Sequence, residues 1–103
     1  WDKVDGVWVV GLVAVVVVGA PLIEEIVYRG LLLQSLQGRL HDVLALVLSS
    51  VWFAGIHLQP VEFPGLFAFA VVLGLCFLVT GRLGSAILAH AAFNATGLLL
   101  VAL

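Results

Sequence analysis

The chain has 103 residues, of which 64% are hydrophobic and only 10% charged, and its mean hydropathy is +1.31. Soluble domains carry about 25% charged residues, so this composition excludes an ordinary soluble domain, a disordered chain and a disulfide scaffold. Four Lys plus Arg against six Asp plus Glu, with no basic block, predict no nucleic-acid partner. The solvent this sequence expects is lipid.

No tandem repeat, Ser- or Pro-rich linker or shift in composition divides the chain, which reads as one domain over residues 1–103. It opens at Trp1, which predicts the core of a longer protein. Four apolar stretches follow in order: Val7 to Gln37, Val43 to Leu58, Phe63 to Thr80 and Leu83 to Leu103. The runs are continuous rather than alternating, which disfavours a barrel. In a bilayer the backbone must satisfy itself within each segment, so helix is the expected state. The fold class is therefore an all-α membrane protein, a bundle of about four transmembrane helices.

A spanning helix needs about 20 largely apolar residues. The third and fourth stretches satisfy this. The second is short, and spans only if Asp42 and Gln59 lie at the headgroups. The first, at about 1.5 Å per residue, is roughly 46 Å long and must tilt, bend or break. Pro21 lacks a backbone donor and is the expected place, giving one long helix bent near Pro21. A separate helix beginning at Pro21 is the alternative. Short connections imply antiparallel neighbours. They put Arg39 and Arg82 on one side and Asp2, Lys3, Asp5 and Glu62 on the other, with the arginine side cytoplasmic by the positive-inside rule.

Charges at bilayer depth cost at least about 2.5–3.5 kcal/mol each and mark sites. The costly residues here are Glu24, Glu25, Arg29, His57, His90 and Asn94. Glu25 and Arg29 stand four apart, acid first, the favourable order for an intrahelical pair. Glu24 lies about 100° away round the helix and is left needing a partner from another helix, a water or a proton. His57 follows Gly55 near a helix end. His90 and Asn94, four apart among Ala86, Ala89 and Ala91, share one helix face. Counted along the helix rise from the Gly38–Asp42 turn, Glu24 and His57 fall at one depth. Counted from Gly81–Arg82, Asn94 is close to that depth and His90 is not, unless the helix tilts or the turn is sunk.

A carboxylate and an imidazole can jointly deprotonate a water, and a second imidazole and an amide can donate to a developing oxyanion. That set suits amide hydrolysis. Alternatively Glu24, His57 and His90 could hold a divalent metal such as zinc, with water as the fourth ligand. No HExxH pattern is present. Ser49, Ser50 and Ser85 have no evident base beside them, and Cys76 has no nearby His, so a covalent nucleophile is not expected. Cys76 is expected to be a small core or lipid-facing residue. Ala70 and Gly74 form a small-residue helix contact. Trp1 and Trp8 suit the membrane interface, Trp52 is expected to pack, and His41 to be a solvated loop residue.

The motifs EExxxR at Glu24–Arg29, FxxxH at Phe53–His57 and HxxxN at His90–Asn94, in this order on apolar helices, resemble the CPBP family of intramembrane metalloproteases. That family includes type II CaaX prenyl endopeptidases and bacteriocin-processing or immunity proteins. The resemblance runs from about Ala20 to Leu100, and Tyr28 stands where the family often has Phe. It implies an intramembrane endopeptidase acting on a peptide or protein substrate, prenylated CaaX-type or bacteriocin-type, within membrane lipid. It implies Glu24 as the water-activating acid helped by His57, and His90 and Asn94 as oxyanion donors, or His90 with Glu24 and His57 around a metal. Glu25 and Arg29 would be the supporting ion pair. The expected location is the bacterial cytoplasmic membrane. Two other readings remain: a non-catalytic immunity or scaffolding protein of the same fold, and a fragment of a proton-coupled transporter. Internal repeats would favour the transporter, and none is seen.

Overall fold

The computed structural model describes residues 3–103, with side chains from Asp5 onward. Trp1, Asp2 and the Lys3 side chain, which the sequence reading placed at the interface or on the acidic side, fall outside them. The described residues form four helices and no strand. Helix α1 runs over residues 3–37, α2 is Asp42–Ile56, α3 is Phe63–Thr80 and α4 is Leu83–Ala102.

Helix α1 does not break at Pro21. It passes through a π-helical stretch at Val15–Gly19, an α-helical stretch at Ala20–Glu25 and a second π-helical stretch at Ile26–Leu33. The expected irregularity is therefore a widened turn immediately before the proline. In it the Ala20 N–H reaches back five residues to the Val15 carbonyl. Such π turns inside α-helices recur at functional sites.

Three helical segments, Asp5–Gln37, α3 and α4, are long and apolar enough to cross a membrane. Helix α2 is not. Its 15 residues span about 22 Å at the helix rise, short of the roughly 30 Å hydrocarbon core. The sequence counted up to Leu58, but the helix stops at Ile56, because Leu58 takes a left-handed backbone (φ 55°) and its N–H turns back to the Gly55 carbonyl. At the other end His41 is the helix N-cap: its Nδ1 accepts from the Leu44 N–H at 3.2 Å. Although exposed, it is a cap rather than a merely solvated loop residue.

Helix α2 lies against α3. Ala45, Leu46, Ser49, Ser50, Phe53 and Ala54 turn inward from one helix, and Ala70, Leu73, Gly74 and Phe77 from the other. Gly74 permits the close approach: a Cβ there would run into the Leu46 Cδ1. Helix α3 ends at Gly81 (φ 68°), whose N–H caps the Phe77 carbonyl in the left-handed geometry that glycine adopts without strain. Helix α4 then returns along the α1 stretches Val15–Gly19 and Ala20–Glu25. Trp52 does not pack. It is 60% exposed and faces outward, which carries little penalty where the surroundings are lipid.

Candidate active site

The polar residues converge between α1, α3 and α4. Pro21, Glu25, Arg29 and Leu33 recur every four residues on the buried face of α1. That spacing turns Glu25 and Arg29 inward together. Arg29 Nη1 donates to Glu25 Oε1 at 3.2 Å, and both side chains are buried. Its second arm donates from Nη2 to the Ala70 carbonyl at 2.7 Å. Ala70, fully buried and small, lets the guanidinium reach the backbone of α3. The Phe53 ring lies 5.2 Å beneath the guanidinium carbon, within cation–π range.

His90 reaches in from α4 and is 3% exposed. Its Nδ1 donates to Glu25 Oε1 at 2.8 Å, and its Nε2 stands 3.3 Å from Glu24 Oε2. A carboxylate only accepts, so an imidazole set between two carboxylates is satisfied when it carries both protons. Arg29 balances one of the two acids, and the His90 ring bridges both. The Phe69 ring meets His90 edge-on, with centroids 5.2 Å apart. Glu24 is the partly open member, its side chain 37% exposed.

His57 directly follows α2. Its Nδ1 lies 2.6 Å from the Phe53 carbonyl oxygen. A carbonyl accepts, so a proton sits on Nδ1, and Nε2 is the nitrogen that carries the lone pair in the neutral ring. The Phe53 ring stacks obliquely on the imidazole at 4.8 Å, and Tyr28 packs edge-on against Phe53 at 5.0 Å.

Glu24, His57, His90 and Asn94 line one groove of about 670 Å³, together with Phe53, Phe69, Phe93 and Glu62. The sequence-predicted residues thus divide. These four border the groove, while Glu25 and Arg29 are buried behind it. Of the two ways to bring His90 to the depth of Glu24, a tilted helix or a sunk turn, the structure takes the second. His90, not Asn94, is level with Glu24. The turn before α4 is sunk: a Cβ on Gly30 would lie 3.4 Å from a Leu83 methyl, and Gly30 is about 12 Å along the helix from Gly38. Asn94 in consequence reaches past the acids, and its Nδ2 donates to the Val16 carbonyl at 2.9 Å. The sequence reading missed the two backbone acceptors, Ala70 and Val16, and missed Glu62 on the groove wall. Backbone acceptors leave no residue signature, although Pro21 signals that a carbonyl one turn earlier needs a donor.

A metal does not fit the residues as they stand. Both ring nitrogens of His90 face carboxylates, and Nδ1 of His57 is held by a carbonyl. Among the described residues, no three His, Cys, Asp or Glu side chains are grouped so that they could hold a metal ion. What the groove offers is an accessible carboxylate, the free ring nitrogen of one imidazole and a second, buried imidazole held at both nitrogens, set in an aromatic wall.

No curated protein and no solved structure gives a significant match to the chain. Residues 6–96, most of its length, match the family described as Type II CAAX prenyl endopeptidase Rce1-like. That match spans all three polar motifs and reaches into each of the four helices. Its substrates are peptides or proteins, and its membrane setting agrees with the three long apolar helices. The chain belongs to the Rce1-like family of type II CAAX prenyl endopeptidases.

Proposed function

We propose that this chain is an active intramembrane endopeptidase that hydrolyses a peptide bond of a membrane-associated substrate, prenylated CaaX-type or bacteriocin-type, through a water activated by Glu24 and His57. The observation that supports it best is the shared groove. An accessible Glu24, a lone pair on His57 and the buried His90 face one space, with Glu25 and Arg29 holding His90 from behind.

The water gives its proton to the Glu24 carboxylate while His57 Nε2 accepts its second hydrogen bond. The resulting hydroxide attacks the scissile carbonyl carbon. As Glu24 takes up the proton, its hold on His90 Nε2 weakens, and that N–H turns to the developing oxyanion. The C–N bond then breaks, and the proton on Glu24 passes to the leaving amine. Positioned general bases contribute typically 10²–10⁴-fold, and single oxyanion donors about 10²–10³-fold.

The test is release of fluorescence from a farnesylated, internally quenched peptide ending in a CaaX sequence, using purified protein in detergent. Glu24→Gln and His57→Ala should each reduce turnover by about 10² or more with the protein still folded. Cleavage that persists in both variants refutes the reading. A non-catalytic immunity or scaffolding role predicts instead no cleavage by the wild type, and a function in cells that Glu24→Gln leaves intact.

A further inference from the structure

In helix α1 the Ala20 N–H is committed to the Val15 carbonyl, five residues back. The next carbonyl, Val16, would take its bond from residue 21 in the same register. Residue 21 is Pro21, which has no N–H. Ala20, the donor an α-helical register would supply, is already in use. Val16 is thus left with a carbonyl that no helical donor serves, in a stretch where lipid offers none. An unpaired backbone group in hydrocarbon costs several kcal/mol.

Asn94 fills the gap. Its Nδ2 donates to the Val16 oxygen at 2.9 Å across 78 positions of sequence. Pro21 itself is fully buried beside this seam. One turn earlier on α4, His90 makes the contacts to Glu24 and Glu25. Helix α4 is therefore tied to α1 at two points four residues apart, on either side of the proline. One tie is to the acids and the other is to a backbone atom whose availability the proline creates.

We propose that Asn94 is a positioning residue: its amide holds the Val16 carbonyl that Pro21 leaves without a helical donor, and so sets the register in which Glu24 meets His90. The link to turnover rests on the peptidase reading above; the bond and its dependence on Pro21 do not. A displacement of about 1 Å at a reacting group can cost about 10²-fold in rate, so a register tie this close to Glu24 is felt in catalysis. The sequence pattern alone suggested a hydrogen bond from Asn94 to substrate. The geometry commits one of its amide protons to the scaffold.

The experiment is a double-mutant cycle between Asn94→Ala and Pro21→Ala, read in two ways: unfolding midpoint in detergent, and kcat and KM on the farnesylated quenched peptide. Alanine at position 21 restores an N–H, so the helix can serve Val16 by itself. Asn94→Ala is expected to lower kcat about tenfold or more at nearly constant KM in the wild-type background, and by less than about threefold when Pro21→Ala is present. The midpoint should show the same coupling. A role confined to stability would lower the midpoint and leave kcat of the folded enzyme unchanged, which overturns the proposal. So does an equal loss of kcat in both backgrounds, since that marks a group acting on the substrate directly. Asn94→Leu keeps the size and has no donor, and must behave like Asn94→Ala; wild-type behaviour there also overturns it. If no form cleaves the peptide, the peptidase reading fails, and coupling or additivity in the unfolding midpoint still decides whether Asn94 serves the carbonyl that Pro21 exposes.

Discussion

Two helix seams in this molecule are built on opposite principles. The seam of α1 with α4 is polar: Glu24 and Glu25 meet His90, and the Val16 carbonyl meets Asn94. The seam of α2 with α3 is a matter of shape, with Leu46 lying over Gly74 and small residues such as Ala45, Ala54 and Ala70 turned inward. In lipid the hydrophobic effect does not drive helices together, so close packing and interhelical hydrogen bonds must do it. Among the described residues no side-chain hydrogen bond joins the packed seam, and it touches the site only at its edge, through Phe53 and the Ala70 carbonyl. The polar seam binds the helices through Glu24, His90 and Asn94, which also border the groove. Stability and function are separable in the first and joined in the second.

The largest test of that contrast is Arg29→Met. It keeps the stem and removes the guanidinium, leaving Glu25 fully buried with His90 alone, and the Ala70 carbonyl without its extra donor. Breaking a buried ion pair from one side costs about 3–5 kcal/mol. Unfolding in detergent should register that loss, and cleavage should fall with it because His90 loses its anchor. A variant that unfolds like the wild type would show that the polar seam is not holding the helices.

Gly74→Val tests the other seam and is expected to cost less. Overpacking a tight contact costs about 1–3 kcal/mol. The cost should shrink in a Leu46→Ala background, because the obstructing methyl is then gone. Activity per folded molecule should be unchanged in both variants. A fall in kcat at full folding would mean that the packed seam also shapes the groove.

The two seams were also unequally legible in the sequence. The helices themselves could be read from continuous apolar runs, and Phe63–Thr80 matches its run residue for residue. The Glu25–Arg29 pair followed from spacing alone, and Ala70 and Gly74 from their four-residue interval. What spacing left open was depth. Counting rise from a turn assumes that all turns lie in one plane, and the Gly81–Arg82 turn does not, since Leu83 sits beside Gly30. That single offset exchanged the places of His90 and Asn94. Trp52 was misplaced for a different reason: in lipid an outward aromatic is stable, so hydrophobicity does not distinguish inside from outside.

The smallest expected effect lies where α2 ends. Leu58 is a non-glycine residue in the left-handed region, and its side chain is 85% exposed, so little packing compensates for the strain. The left-handed conformation costs about 1–2 kcal/mol for an L-residue. Glycine removes that cost but gives back about 0.5–1 kcal/mol through its freer unfolded chain. Leu58→Gly should therefore stabilise the protein by about 0.5–1 kcal/mol, seen as a small rise in unfolding midpoint. The same change loosens the backbone directly after His57, whose Nδ1 bond to Phe53 orients the lone pair toward the groove. Turnover should fall modestly while stability rises, because backbone strain beside a working residue fixes a geometry that a relaxed chain does not hold. If both rise together, His57 is oriented by Phe53 alone and the left-handed turn is only the end of a helix. If stability falls instead, the exposed leucine is held by Pro60 and Phe63, which line the adjoining pocket with it, and the short helix α2 is anchored through its loop.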